Sequence, residues 1–259
     1  MFGRRSGGFK IRLLIGAGII LFSLFKYYSQ RQTNPYTGKK QSIALTAEEE
    51  IAIGLRSAPQ MAQQHGGLYP DQQFQDHVAR VGRRLVNSSV AKETPYQYDF
   101  HLLRDPQAIN AFALPGGQIF ITFALYSKLE NEDQLAGVLG HEIAHVIGRH
   151  SAERMANQGL TQGILSGVMV GGGTESGQMA SMIANVVNMK YGRGDELESD
   201  DLGVKFMIDA GYNPEELLGV MRILKEAAGP NRVPEFQSTH PDPENRIEKI
   251  KEAIRKYSN

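Results

Sequence analysis

Residues 131–147 read NEDQLAGVLGHEIAHVI, and the interpretation of the whole chain turns on them. Asn131 is a helix-capping residue, and Glu132 and Asp133 complement the positive end of a helix dipole. Leu135, Val138, Leu139, Ile143 and Val146 then recur at helical spacing. The stretch therefore predicts one helix carrying His141, Glu142 and His145. At about 100° per residue, His145 lies about 40° from His141, so both imidazoles share a face one turn apart. Glu142 lies about 100° round from His141.

Two imidazoles in that arrangement offer the bite that one tetrahedral Zn²⁺ needs, with Zn–N bonds of about 2.0–2.1 Å. Glu142 stands beside such an ion, placed to take a proton from a bound water. The H-E-x-x-H pattern arises by chance in about 1% of shuffled chains of this composition, so the helical context matters. The metal-free alternative is an apolar helix that buries two imidazoles and a carboxylate without partners, at considerable cost.

A catalytic zinc takes three protein ligands and keeps one position open. The metzincin spacing requires a third histidine where this chain has Ser151. His150 falls one residue short, and on a straight helix it points about 180° from His141. The other candidate is the acidic run Asp195 to Asp201 (DELESDD). If it opens a helix running to about Ala210, the apolar face is Leu197, Val204 and Ile208, with Glu196 and Asp200 together on one flank. Glu198, Asp201 and Lys205 lie on the other side, as a solvated face. Glu196 is then the third ligand, and Asp200 accepts the N–H of a ligating imidazole. The alternative leaves Glu196, Glu198, Asp200 and Asp201 all on a solvated helix start. Gly137, Ala144 and Gly148, near His141 on the ligand side, leave room for the second helix.

The chain has 259 residues and no cysteine, which excludes disulfides, thiolate metal sites and cysteine nucleophiles. Its zero net charge divides unevenly: residues 1–40 hold eight basic groups and no acid, leaving 20 basic against 28 acidic residues, a net of −8. An acidic body argues against nucleic acid as a partner. Within the basic leader, Leu13 to Phe25 (LLIGAGIILFSLF) is uncharged. Thirteen helical residues reach only about 20 Å, but snorkelling Arg12 and Lys26 and interfacial Tyr27 and Tyr28 let Ile11 to Tyr28 span a bilayer. An uncleaved single-pass anchor is the leading reading, beside a cleaved signal or an organellar presequence. Basic groups ahead of the span favour a body on the non-cytoplasmic side, the periplasm or its equivalent.

The predicted organisation is a leader and anchor over 1–28, a linker over 29–46 and a body over 47–259, opened by a capping box at Thr46 and Glu49. Residues 47–90 read as helix, 98–103 as a strand, and 109–112 with 118–123 as a hairpin around Leu114-Pro-Gly-Gly. Helix dominates from Glu132 on, so the fold class is α+β, mainly helical with a small sheet. Gly116 and Gly117 lead into Gln118 and Ile119 as an edge strand suited to holding substrate backbone, or as an ordinary structural hairpin. The interrupted apolar stretch 159–173 is too short for a second span and reads as a buried or lid helix ending in a glycine loop.

In order along residues 47–259, the blocks Asn110-Ala-Phe-Ala-Leu-Pro-Gly-Gly-Gln-Ile, His141-Glu-Ile-Ala-His145, Glu196-x-Glu-Ser-Asp200 and Thr239-His240-Pro241 resemble the gluzincin metallopeptidases of the HtpX and CaaX-prenyl-endopeptidase type, in peptidase clan MA. The resemblance implies a zincin-like domain with one zinc per chain, held by His141, His145 and Glu196, and Glu142 as general base. Ser199 replaces the family's alanine, and Asp201 stands where many relatives carry arginine. In relatives the counterpart of His240 sits near the metal; here His240, in a proline-rich loop, reads as a donor to the oxyanion, as an occupant of the zinc's open position when substrate is absent, or as a plain surface histidine. Arg246 reads as an ion-pair residue, and Tyr191 as a source of a phenol near the metal.

The expected function is a membrane-anchored zinc endopeptidase acting on polypeptides, among them misfolded membrane or envelope proteins. The alternatives are a membrane-tethered, chaperone-like zinc-binding module with little proteolysis, and a self-inhibited enzyme closed by His240 or by residues 159–178.

Overall fold

The computed structural model describes residues 6–172, 191–227, 235–240 and 245–258. The chain divides into two compact units, 1–44 with 152–188 and 45–151 with 189–259.

In the first unit, helix α1 (Ser6–Ser29) leaves its apolar side chains outward, with Leu14 73% and Phe25 71% exposed. Gly8–Ser29 is 22 residues long and contains an 18-residue window of mean hydropathy 1.8. At about 1.5 Å per residue it covers the hydrocarbon thickness of a bilayer, about 30 Å. Helix thus extends beyond the thirteen uncharged residues in both directions. Strands β1 (Arg31–Thr33) and β2 (Lys40–Ser42) pair antiparallel in the segment read as linker, around a turn that Gly38 enters at φ +74°.

Helix α6 (His150–Gly172) begins in the second unit and belongs to the first from Ala152 onward. A Cβ on Gly163 would overlap Ser23, and one on Gly167 would overlap the Gly16 carbonyl. Tyr27 donates to Asn157 Oδ1 at 2.8 Å. The stretch read as a buried or lid helix therefore packs along α1 through small residues. Gly171 and Gly172 end the helix; the rest of the expected glycine loop lies outside the described residues.

In the second unit, the helix expected over 47–90 is two: α2 (Ala47–Gln64) and α3 (Gln72–Ser88). Gly66 (φ +79°) and Gly67 (φ +87°) turn the chain between them, and Asp71 caps α3 by accepting from Gln73 N–H. The capping box at Thr46 and Glu49 forms in both directions. A 3₁₀ turn (Val90–Glu93) leads to β3 (Asp99–Leu103), β4 (Ala111–Ala113) and β5 (Gln118–Thr122).

The hairpin forms as expected, but its second strand is not an edge. The order is β3-β5-β4, with β5 parallel to β3 and antiparallel to β4. Both backbone edges of Gln118 and Ile119 are therefore used inside the sheet. The physical reason is a long-range pairing, β3 returning to β5, that a hairpin's own sequence does not display. Gly116 (φ +80°) and Gly117 (φ +112°) are structural: a Cβ would strike the Ile51 backbone at the first and Gln97 at the second.

After the short α4 (Phe123–Tyr126) comes α5 (Glu132–Ile147), capped by Asn131. Every residue from Gln134 to Ile147 is buried. Helices α7 (Arg193–Asp209), α8 (Glu216–Ala227), α9 (Glu235–Thr239) and α10 (Arg246–Tyr257) complete the unit. Leu139, Ile143, Phe206 and Ile250 are each 0% exposed. At about 1.5–3 kcal/mol per buried side chain, such residues fix α5 rigidly.

Helices α5 and α7 meet at Gly140 and Gly203: a Cβ on Gly203 would lie 3.2 Å from His141 N, and one on Gly140 3.3 Å from Gly203 O. The close approach is thus one residue before His141. Of the small residues picked from sequence, Gly137 faces Leu217 and Met207 instead, and Gly148 faces His150. The buried face of α7 also differs from the apolar stripe. It consists of Glu196, Ser199, Asp200, Gly203, Val204, Phe206 and Met207, while Leu197 and Ile208 are only half-buried. The carboxylates occupy the centre of that face and not its flank, because their partners on other helices replace water.

Candidate metal centre

The last turns of α5 present the two imidazoles to one point: His141 Nε2 and His145 Nε2 lie 3.0 Å apart. Helix α7 brings Glu196, with Oε2 3.5 Å from His141 Nε2 and Oε1 3.5 Å from His145 Nε2. His240, just past α9, places Nδ1 3.0 Å from Glu196 Oε1 and 3.4 Å from His141 Nε2. All four side chains are buried, and their donor atoms lie within 4.8 Å of one another.

A tetrahedral ion with bonds of about 2.0–2.1 Å holds its donors about 3.3 Å apart. With Oε1 as the Glu196 donor, the His141–His145, His141–His240, His145–Glu196 and His240–Glu196 separations of 3.0–3.5 Å are close to the edges of that tetrahedron. Among the described residues, Glu196 Oε2 is fully buried with no hydrogen bond, 3.5 Å from His141 Nε2 and 3.4 Å from Arg246 Nη2. Glu142, Glu196 and Asp200 against Arg246 also leave a formal excess of two negative charges, which suits a divalent cation. Two imidazole nitrogens and a carboxylate are a zinc-type donor set.

The surroundings orient these donors. Asp200 Oδ1 lies 2.9 Å from His141 Nδ1. Arg246 grips the same carboxylate with Nε at 2.7 Å from Oδ2 and Nη2 at 2.9 Å from Oδ1. Burial works to raise the Asp200 pKa, but the Arg246 and His141 charges hold it below the ordinary carboxylate range. Burial likewise opposes a charged His141, yet Asp200 and Glu196 outweigh it and push the imidazole up to about 9. Glu196 is held down against its burial by His240 and His141. A field that draws a proton to His141 favours any cation there.

Glu142 is fully buried beside this cluster and outside it, with Oε1 3.7 Å from His240 Nε2. The structure thus brings together His141, Glu142, His145, Glu196, Asp200 and His240. Gly116, Gly117, Gln118 and Ile119 belong to the hairpin and central strand described above.

Arg246 is the ion-pair residue expected, and it faces Asp200 and, at 3.4 Å, Glu196 Oε2. Tyr191 stacks on His145 with ring centroids 3.8 Å apart, and its hydroxyl lies 3.4 Å from Ser151 Oγ.

On a straight helix His150 would point away from His141. The helix ends at Ile147, and Arg149 adopts φ +56°, which returns His150 to His145 with Nδ1 atoms 2.9 Å apart. Gly148, a helix-stop residue, was the signal available. Glu198, assigned to a solvated face, has Oε2 3.0 Å from His150 Nε2.

The chain is similar in sequence to known metallopeptidases. The model for Peptidase family M48 matches residues 72–254. Mitochondrial metalloendopeptidase OMA1 of Schizosaccharomyces pombe is 32% identical over 178 residues, covering 68% of this chain and 52% of that protein. The beta-barrel assembly-enhancing protease of Yersinia pestis is 30% identical over 226 residues, 82% of this chain and 45% of that protein. Metalloprotease YcaL of Escherichia coli is 26% identical over 181 residues, 68% of each. The chain spans about half the length of the first two relatives.

Proposed function

The chain belongs to Peptidase family M48, and from that premise we propose that it is a membrane-anchored, zinc-dependent endopeptidase. His141, His145 and Glu196 hold one Zn²⁺ in this reading, and Glu142 is the general base. The observation that carries it is the set of buried donors at tetrahedral separations with Glu142 alongside.

Bound zinc supplies a Lewis acid that polarises the scissile carbonyl and lowers the pKa of its water to about 7. The protein's own part is positioning and proton transfer. Glu142 accepts the proton of the attacking water and delivers it to the leaving nitrogen. Asp200, fixed by Arg246, keeps the His141 N–H on Nδ1 and so its Nε2 lone pair inward. His240 donates to the developing oxyanion once substrate enters. Among the described residues β4 is laddered on one side only, so Ala111–Ala113 takes the place of Gln118 and Ile119 as the strand to which substrate backbone adds.

His240 touches Glu196 and faces Glu142, which favours a second reading of its role: it occupies the substrate's position at rest. Proteolysis by the His240→Ala variant that exceeds wild type supports this resting block, and a loss of activity supports the oxyanion role.

Residues 1–28 are the proposed anchor, 29–46 the linker and 47–259 the peptidase domain, on the non-cytoplasmic side. The substrates are misfolded or unassembled membrane and envelope proteins. The name of the beta-barrel assembly-enhancing relative supports this substrate class.

The test is cleavage of casein or an unfolded membrane protein by the full chain, with and without a zinc chelator. Chelator-sensitive cleavage is expected. Binding of unfolded chains without cleavage, unaffected by chelator, overturns the protease reading in favour of a chaperone-like module.

A further inference from the structure

Beyond the residues assigned above, His145 has its own support on the side away from the cluster. His145 Nδ1 faces His150 Nδ1 at 2.9 Å, and His150 Nε2 faces Glu198 Oε2 at 3.0 Å. His150 is fully buried, so its ring nitrogens answer to these partners and not to bulk water. We propose that His150, backed by Glu198, is the positioning residue of the zinc ligand His145.

The tautomers decide it. A neutral imidazole carries one N–H and one lone pair. His145 aims Nε2 at the metal point, so its proton sits on Nδ1. His150 Nδ1, 2.9 Å away, must then accept. That puts the His150 proton on Nε2, directed at the Glu198 carboxylate. Every donor in the chain Glu198–His150–His145 meets an acceptor. Ser199 Oγ also faces His150 Nδ1, at 3.5 Å, too far for a strong bond.

The competing use of these atoms is a second cation held by His150, Asp195 and Glu198, whose donor atoms are also close together. A metal on His150 Nε2 would force the proton onto Nδ1, head-on against the His145 N–H. Asp195 Oδ1 also stands 3.9 Å from His150 Nε2, and its other oxygen caps Gly192. A single metal supported by a hydrogen-bonded chain satisfies both ring nitrogens of His150 and Nδ1 of His145.

The two ligands of α5 are therefore supported by different means. Asp200 orients His141 directly, whereas a carboxylate orients His145 through a second imidazole. Loss of such an outer partner costs about 10–100-fold in metal affinity.

The inference rests on the zinc reading above, and the experiment separates the two. Full-length chain is stripped of metal and titrated with Zn²⁺ against a chromophoric chelator, and its Co²⁺ form is followed by visible absorption. One equivalent of zinc is expected for wild type, with affinity reduced about 10–100-fold in His150→Ala and less in Glu198→Ala. His150→Asn, whose amide oxygen stands near the lost Nδ1, is expected to recover most of the affinity and the wild-type cobalt spectrum. A purely structural role would not give that rescue.

Wild-type affinity and spectrum in His150→Ala overturn the positioning role alone. If His150→Ala does not fold, His150→Asn and Glu198→Ala decide: His150→Asn binding zinc more than 100-fold more weakly than Glu198→Ala overturns it. A second equivalent of zinc, lost in Glu198→Ala and kept in Glu196→Ala, makes these residues a metal site and overturns it too. No zinc bound by wild type removes both this inference and the metal reading beneath it.

Discussion

Helices α1 and α5 invert the usual sorting of residues in opposite ways. In α5, His141, Glu142 and His145 are at most 2% exposed, although burying ionisable groups is costly. In α1, Phe9, Leu14, Leu21, Phe22 and Phe25 are between 58% and 73% exposed, although apolar surface in water is costly. Each inversion specifies a partner by chemistry. The polar interior of α5 calls for a cation, and the apolar exterior of α1 calls for lipid. The same two helices are the most legible parts of the sequence, because a residue type out of keeping with its surroundings is informative.

The sharpest way to break the α5 side is Glu142→Gln, which keeps the shape and removes the proposed base. Proteolysis is expected to fall about 10²–10⁴-fold while zinc content stays at one per chain. Undiminished cleavage by this variant rules out Glu142 as general base.

Next in size is Arg246→Ala. It leaves the Asp200 carboxylate buried without its guanidinium, a loss of about 3–5 kcal/mol for a broken buried pair. The check is the urea midpoint in excess chelator, so that metal binding does not mask the fold; an unshifted midpoint shows that the ion pair is not structural.

The α1 side is tested by Leu21→Arg, which projects away from α6 at the middle of the apolar span. Arginine at the centre of a membrane helix costs about 2.5–3.5 kcal/mol. The share of chain that resists alkaline extraction from membranes should drop. Extraction identical to wild type means that α1 does not lie in lipid.

The errors of sequence reading have physical causes of one kind. Periodicity found α5, the Thr46 capping box and the Glu196–Asp200 pair, since each is decided within a turn or two of helix. It misplaced the buried face of α7 because Glu196 and Asp200 take positions that an apolar pattern assigns to Leu197 and Ile208. It took Gln118–Thr122 for an edge because the pairing with Asp99–Leu103 is non-local. It lost His150 by extending α5 through Gly148, where the chain turns at Arg149. Local rules succeed until a partner distant in sequence supplies the missing contact.

The smallest effect separates buried carboxylates from solvated ones. Glu132, at the first turn of α5, accepts from Arg80 Nη1 and Nη2 at 3.1 and 2.8 Å and from Tyr212 Oη at 3.1 Å. Arg80 holds its pKa down to about 2 from 4.5, against partial burial and with Tyr212 and His77 assisting. Its folded pKa lies below its unfolded one, so the stabilisation is present above about pH 4.5 and fades as pH falls toward 2. The side chain is 34% exposed, and solvent screening keeps the contribution under about 1 kcal/mol. Glu132→Gln should lower the thermal midpoint slightly at pH 7, by far less than Arg246→Ala, with a gap from wild type that narrows below pH 5. A gap that stays constant or widens with acid would mean that Glu132 acts through shape and not charge. In that case the contrast between α5's solvated start and its buried end would rest on packing alone.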